Sequence, residues 1–253
     1  MNRASSASPF PPHSSAATFQ KSLESVKFDW GRRLRACFSL LAVGLLWSGS
    51  LAVCRAGEGN ASVQPQPSWT SLFDGRSLGN WKPSNFGGEG AVTVADKQLV
   101  LHFGDSLTGI VYTKPFPKQD YEIRLEAMRV DGNDFFCGLT FPVAESHCSF
   151  VVGGWAGAVV GLSCIDGRDA SENDTTQYMK FDEGRWYCIR VRVTAERIQC
   201  WIDDRRVVDQ DLRGRRISIR AEVEPSKPLG IAAWQTKAAL RRIEFRPLTK
   251  GEP

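Results

Sequence analysis

Trp186-Tyr-Cys-Ile-Arg-Val-Arg-Val-Thr-Ala-Glu-Arg-Ile-Gln-Cys-Trp-Ile-Asp203 is the stretch whose reading decides the fold. Tyr187, Ile189, Val191 and Val193 alternate with Cys188, Arg190 and Arg192, the period of two that marks a strand with one buried face. Ile198, Cys200 and Ile202 alternate with Gln199, Trp201 and Asp203 in the same way. A two-residue loop at Ala195-Glu196 then predicts a hairpin pairing Val193 with Ile198, Val191 with Cys200 and Ile189 with Ile202. In that register one face is wholly apolar, and a slip of one residue would expose it. Cys200 goes to the core and Cys188 to the opposite face, so these two should not bond to each other. Arg190 falls across from Trp201 as a surface cation–π pair.

Working outward, the neighbours carry the same signal. Tyr121-Glu-Ile-Arg-Leu-Glu-Ala-Met-Arg-Val130 alternates between an apolar and a charged face. Ala91–Val94, Gln98–Phe103, Gly109–Thr113, Leu229–Trp234 and Ala239–Phe245 are short apolar runs bounded by turn residues. Trp234 reads as a core residue, and His102 as a half-exposed strand residue. No stretch after residue 56 sustains a helical period. Short strands with frequent turns predict an all-β antiparallel sandwich or barrel.

The N-terminus differs in kind. Arg32-Arg-Leu-Arg35 precedes the apolar run Ala36–Trp47, and Ala56 offers a small residue for cleavage. Residues 1–56 therefore read as a leader with a signal peptide, or as an uncleaved anchor, since Ala36–Cys54 nearly suffices to span a bilayer. Residues 57–68 read as a Gly/Ser/Gln/Pro linker and 69–248 as the folded domain. A secreted, periplasmic or cell-envelope location follows, with membrane contact only through an uncleaved N-terminus. The overall charge of +4 is a property of this leader, which holds seven of the 32 basic residues and two of the 28 acidic ones. The rest is near neutral, which argues against nucleic acid as a partner.

Five cysteines follow Ala56: Cys137, Cys148, Cys164, Cys188 and Cys200. An odd number leaves at least one outside any intramolecular disulfide. With no Cys-x-x-Cys pair, and only His102 and His147 in the same region, zinc ligation of the usual spacing is not expected.

The chemistry-bearing residues crowd the middle. His147-Cys-Ser-Phe-Val-Val-Gly-Gly-Trp155 leads to a Gly/Trp segment, and Cys164-Ile-Asp-Gly-Arg-Asp-Ala-Ser-Glu-Asn-Asp-Thr-Thr176 is a loop rich in carboxylates. Trp155 among glycines offers a flat face for sugar stacking, or else a core residue at a tight crossover. His147 reads as a residue of the short loop between two strands. Asp166-Gly167 is a turn signal, and Asp169–Thr176 is equally read as a solvated loop capping itself through Asx-type hydrogen bonds. Asn60-Ala-Ser62 and Asn173-Asp-Thr175 match the glycosylation sequon.

Taken in order, four landmarks resemble one family. Ser71-Leu-Phe-Asp-Gly-Arg-Ser-Leu-Gly-Asn-Trp81 is similar to the opening Leu-Phe-(Asn/Asp)-Gly-x-x-Leu-x-x-Trp of the 3-keto-disaccharide hydrolases, the 3-keto-glucoside lyase/hydratase domains. Asp120–Glu126, then Glu183–Val191 with Gln199–Asp203, and finally Gly230–Phe245 resemble its later landmarks. The resemblance covers Trp69–Pro247 and implies a concanavalin A-like jelly-roll β-sandwich with a carbohydrate on its concave sheet. The chain departs from the pattern at Asn133-Asp-Phe-Phe-Cys-Gly138, where the family often shows Asn-Ser-Gly. It departs again at Ala158–Leu162, where Tyr-Glu-x-Gln is common, so a carboxylate that would face the sugar is missing.

Three classes of function follow: an exported hydrolase or lyase acting on 3-keto-glycosides, a non-catalytic carbohydrate-binding module, and a scaffold domain of the cell envelope. For the first, a base must remove the C2 hydrogen that a C3 ketone acidifies, and elimination of the C1 oxygen follows. His147 or Glu172 is the expected base, with Asp169 in the same catalytic set. Trp155, Asn173 and Asp166 are the expected substrate contacts. A divalent metal with oxygen ligands is compatible with this chemistry, Asp166 and Asp169 being its candidate ligands.

Overall fold

The structure, a computed structural model, describes residues 68–249 and Glu252. The expected leader, all of the linker but Ser68, and the sequon at Asn60 lie outside the described residues. The strands in chain order are β1 (Thr70–Ser71), β2 (Trp81–Pro83), β3 (Val92–Ala95), β4 (Gln98–Leu101), β5 (Leu107–Tyr112), β6 (Tyr121–Gly132), β7 (Cys137–Val143) and β8 (Ser146–Gly153). After a tight turn come β9 (Val159–Ser163), β10 (Gln177–Tyr178), β11 (Trp186–Val193), β12 (Arg197–Ile202), β13 (Arg205–Asp211), β14 (Gly230–Trp234) and β15 (Thr236–Pro247).

Two antiparallel sheets result. One runs β13-β12-β11-β6-β15-β4-β3, with β1 on β15; the other runs β10-β9-β8-β7-β14-β5-β2. Their inner faces make the core: Ile123, Leu125, Ile189, Val191 and Cys200 from the first meet Leu139, Phe141, Phe150 and Leu162 from the second, all fully buried or nearly so. This is the expected all-β sandwich. The hairpin of β11 and β12 has the expected register, with Val193 opposite Ile198, Val191 opposite Cys200 and Ile189 opposite Ile202. Arg190 stacks on Trp201 at 3.8 Å.

The five cysteines are free thiols, four of them buried and Cys188 exposed. The opening motif is a structural clasp. Asp74 accepts from the backbone N–H of Arg76 and Ser77, and the Trp81 indole donates to the Leu72 carbonyl at 2.8 Å. These bonds close the segment into a turn that seats Trp81 in the core.

The second sheet is unusual because β7 is buried on both faces. Along β7, β8 and β9 the large residues point inward, while Gly138, Thr140, Ser149, Val151, Gly161 and Ser163 point to the other face. That outer face is covered in part by a 3-10 helix, Ala221–Ser226. The close fit is at Gly230, where a Cβ would come within 2.5 Å of the Ser226 carbonyl.

Candidate functional site

Strand pairing assembles rows across the outer face of the second sheet. Gly109, Ala232, Gly138, Val151 and Gly161 form one row, and Val111, Gly230, Thr140, Ser149 and Ser163 form the next. The first row is almost without side chains, so it makes a trough. Over it lies a cavity of about 240 Å³ whose floor is Gly138, Val151 and Ala232. Phe135, Trp155 and Trp234 supply aromatic surface, and the hydroxyls of Thr140, Ser149 and Ser163 line the site as well. The Thr140 and Ser149 hydroxyls lie 2.8 Å apart and share one hydrogen bond, leaving further donor and acceptor capacity. Asp134, Arg220 and Glu222 are the charged residues of the lining. Aromatic faces beside hydroxyls and a few charges suit a ligand that is apolar on its ring faces and polar at its edges.

Trp155 reaches the cavity through a conformation that the local sequence permits. Gly153 has φ 79° and Gly157 φ 96°, and between them Trp155 and Ala156 also have positive φ, at 47° and 61°. Two consecutive non-glycine residues in that region are strained unless their surroundings hold them. The holder is Arg129, which is 6% exposed. Its Nη2 donates to the carbonyls of Asp134 at 3.2 Å, Gly153 at 3.3 Å and Gly157 at 3.1 Å, and Nη1 donates to that of Phe181. A Cβ at Gly153 would meet Nη2 at 2.7 Å, so glycine is needed for the carbonyls to close around the guanidinium. Burial pulls the Arg129 pKa below its ordinary value. The Asp134 carboxylate accepts from the Phe135 N–H at 2.7 Å and, at 3.4 Å, from the Ala156 N–H. Trp155 is 41% exposed as a result and is not a core residue.

On the opposite wall, Arg220 donates from Nη1 to Asp169 at 2.9 Å and from Nη2 to Glu222 at 2.9 Å. The Glu222 carboxyl is held below the usual range, first by the Arg220 hydrogen bond and then by its own backbone N–H. Arg220 is bracketed by two acids, so this wall carries an ionised carboxylate rather than a free cation.

The expected site residues scatter around this cavity. Trp155 lines it, and Asp169 stands behind Arg220, its other oxygen accepting from the Ser171 N–H and hydroxyl. Asn173 is used inside the loop: Nδ2 donates to the carbonyls of Leu162 at 2.7 Å and Asp169 at 2.6 Å, and Oδ1 accepts from the Thr175 N–H and hydroxyl. The nitrogen that a glycan would modify at this sequon is thus engaged in the folded chain. Asp166 caps the Arg216 N–H and pairs with Arg215, in a turn where both Asp166 and Gly167 have positive φ. Glu172 is exposed and without a side-chain partner among the described residues.

His147 is the second residue of β8, opposite Pro142, and not a loop residue. Two positions before Ser149, it shares the outer face but stands outside the cavity lining. Burial first, and then Lys227 nearby, lowers its pKa, against an opposing effect of Glu224.

Asp166 and Asp169 do not converge. Each is held by a different arginine, and among the described residues no three His, Cys, Asp or Glu side chains gather as a metal site. The residues present do not fit the expected oxygen-ligand set.

Sequence reading missed Asp134, Arg220, Glu222 and the hydroxyl row, and placed Trp234 in the core. The hydroxyls had a signal: Gly138, Thr140, Ser149, Gly161 and Ser163 are small or polar at alternate positions of otherwise apolar strands. Arg220 and Glu222 had none, because residues 212–226 carry no period.

Residues 68–246 match the model of the 3-keto-alpha-glucoside-1,2-lyase-like domain. No curated protein matches the chain. Among solved structures, a putative glycosyl hydrolase from Parabacteroides distasonis is similar at 14% identity, over 72% of this chain and 95% of that one, with a TM-score of 0.48. A carbohydrate binding module, CBM66, from Bacillus subtilis is similar at 14% identity, over 66% and 95%, with a TM-score of 0.46. The carbohydrate recognition domain of Emp46p is similar at 12% identity, over 68% and 90%, with a TM-score of 0.44.

Proposed function

The chain belongs to the 3-keto-alpha-glucoside-1,2-lyase-like domain family, and from that premise we propose that the cavity binds a glycoside oxidised at C3 and cleaves it by elimination. The observation that carries this reading is an ionised carboxylate, Glu222, beside a guanidinium in a trough flanked by Trp155 and Trp234. Trp155 and Trp234 pack against the sugar ring faces, and the hydroxyls of Thr140, Ser149 and Ser163 bind the ring substituents.

Glu222 takes the proton from C2. The C2–H electron pair then moves into a C2–C3 double bond, and the ketone oxygen becomes an enolate, which takes up the Arg220 Nη2 hydrogen bond that Glu222 gives up as it is protonated. As the enolate collapses, C1–C2 becomes double and the C1–O bond breaks. The departing oxygen takes up the proton that Glu222 had received, and addition of water across the new double bond completes net hydrolysis.

A second reading, a non-catalytic carbohydrate-binding module, is favoured by one observation. Both carboxylates in the lining already have partners, and a carboxylate with a depressed pKa is a weak base. Mass spectrometry of the domain incubated with 3-keto-glucosides separates the two. Release of the aglycone with a dehydrated or hydrated keto-sugar, lost in Glu222→Gln with binding retained, supports the enzyme. Binding without turnover in the wild type supports the module.

Export of the domain is part of the same proposal and is supported by Arg32–Arg35 ahead of the apolar run Ala36–Trp47. N-terminal sequencing of protein recovered outside the cytoplasm would find a start near Gly57, whereas an intact leader in the membrane fraction would mean an anchor.

A further inference from the structure

Beyond the 3-10 helix the same outer face carries a second cavity of about 490 Å³, and we propose that it is a subsite for an anionic group on the glycan: a uronic acid carboxylate or a sulfate ester. The proposal rests on the reading of the first cavity as a glycan site.

The two cavities differ in charge. The first is lined by Asp134 and Glu222 against the single cation Arg220. The charged residues of the second are Lys82 and Lys227, and no carboxylate shares its lining. Lys82 has no ion pair among the described residues. Lys227 pairs with Glu224 at 2.7 Å, but the two side chains are 36% and 54% exposed, so water and salt weaken that pair and a better-placed anion can replace it.

A hydroxyl points the same way. Ser84 is in the lining and is 2% exposed, and its Oγ has no hydrogen-bond partner among the described residues. A buried donor left unpaired is unfavourable, and a rotation of this side chain toward the cavity would give a ligand oxygen a hydrogen bond. Asn85 adds an amide donor, while the rings of Tyr112 and Pro225 give apolar surface for a sugar.

The two cavities lie along one strand of the outer face. Leu107 lines the first and Val111 the second, four residues along β5, about 13 Å at strand rise. Val223 and Pro225 face the two cavities from the same short helix. A single sugar ring in the first cavity would leave the second empty, so the subsite acts on ligands of at least two units.

The test is calorimetric titration with three disaccharides that keep the C3 hydroxyl and so bind without elimination: glucosyl-glucose, its glucuronic acid counterpart and its 6-O-sulfate. The expected result is that one or both anionic sugars bind roughly tenfold tighter than the neutral one, the size of a charge-assisted hydrogen bond, and lose the advantage in salt. The double variant Lys82→Gln, Lys227→Gln, altered only at surface positions, should bind all three as the wild type binds the neutral sugar. Equal affinities in the wild type, or a preference that survives in the double variant, would overturn the subsite while leaving the first cavity's reading intact. If none of the three binds, the subsite is overturned, and if a 3-keto-glucoside also fails to bind in the same titration, the first cavity's reading fails with it.

Discussion

Asn173 is a residue of ligand-binding type that the chain spends on itself. Its amide ties the loop after β9 to the Leu162 and Asp169 carbonyls and to Thr175. Asn173→Ala would strand carbonyls in half-buried surroundings, and we expect a stability loss of about 1–3 kcal/mol, read as a lower urea midpoint at unchanged slope. Glu222 behaves differently. Its depressed pKa keeps it ionised to a lower pH than an ordinary glutamate, so any turnover that needs its carboxylate holds through the usual carboxylate range and falls only below it. Arg220→Met removes the largest cause, and the acid limb of the kcat/KM profile should move up toward about pH 4.3. A limb that stays in place would show that Glu222 is not the base. The pair itself adds little stability, because both side chains are about half exposed.

At the scale of elements, the turn from Gly153 to Gly157 links core and cavity. Its strained residues are held from beneath by a buried guanidinium fork whose Nη2 reaches the carbonyls of Asp134, Gly153 and Gly157 while Nη1 reaches that of Phe181. Lysine offers one point charge and cannot reproduce that fork. Arg129→Lys is therefore expected to cost on the order of 3 kcal/mol of stability. It should also lower sugar affinity about as much as Trp155→Ala does, with the loss in KM rather than kcat; unaltered affinity would mean the turn holds itself. The β11–β12 hairpin needs no such help. Its register is carried by its own alternation, which is why Cys200, Cys188 and the Arg190–Trp201 stack were all legible in the sequence. The cavity was half legible: Gly-Gly-Trp announced Trp155, but the arginines that occupy Asp166, Asp169 and Asp174 come from a stretch without a pattern, residues 215–220.

Across the whole molecule, the two sheets divide the work. The second carries both cavities, and the first carries a charged layer on its outer face. There Glu122, 1% exposed, accepts from Arg246 at 2.6 Å, Arg192 at 2.8 Å and Arg190 at 3.0 Å. Glu122→Ala would remove the central carboxylate of a cluster in which Glu252 still pairs with Arg192 and Arg246, and on the order of 3 kcal/mol of stability should be lost in urea denaturation. Because this layer lies on the far side of the core from the cavities, the fraction that remains folded should bind sugar with wild-type affinity. A fall in affinity per folded molecule would show that the sheets are coupled.

The sequence by itself determined most of the strands, the hairpin register, the buried faces of β11 and β12, and the family landmarks. All are properties of neighbours one or two residues apart, and a period of two states them locally. The landmarks proved to be structural: Asp74 and Trp81 close a turn, and the β11 alternation fills the core. Only the tertiary structure decided which polar residues meet. Asp134, Ser149 and Glu222 come from three separate segments and share a cavity because strand order and a short helix bring them there. Asp166, Asp169 and Asn173 are neighbours in sequence, yet each turns to a different partner. A carboxylate's role depends on what is packed against it, and that is decided by segments far away in the chain.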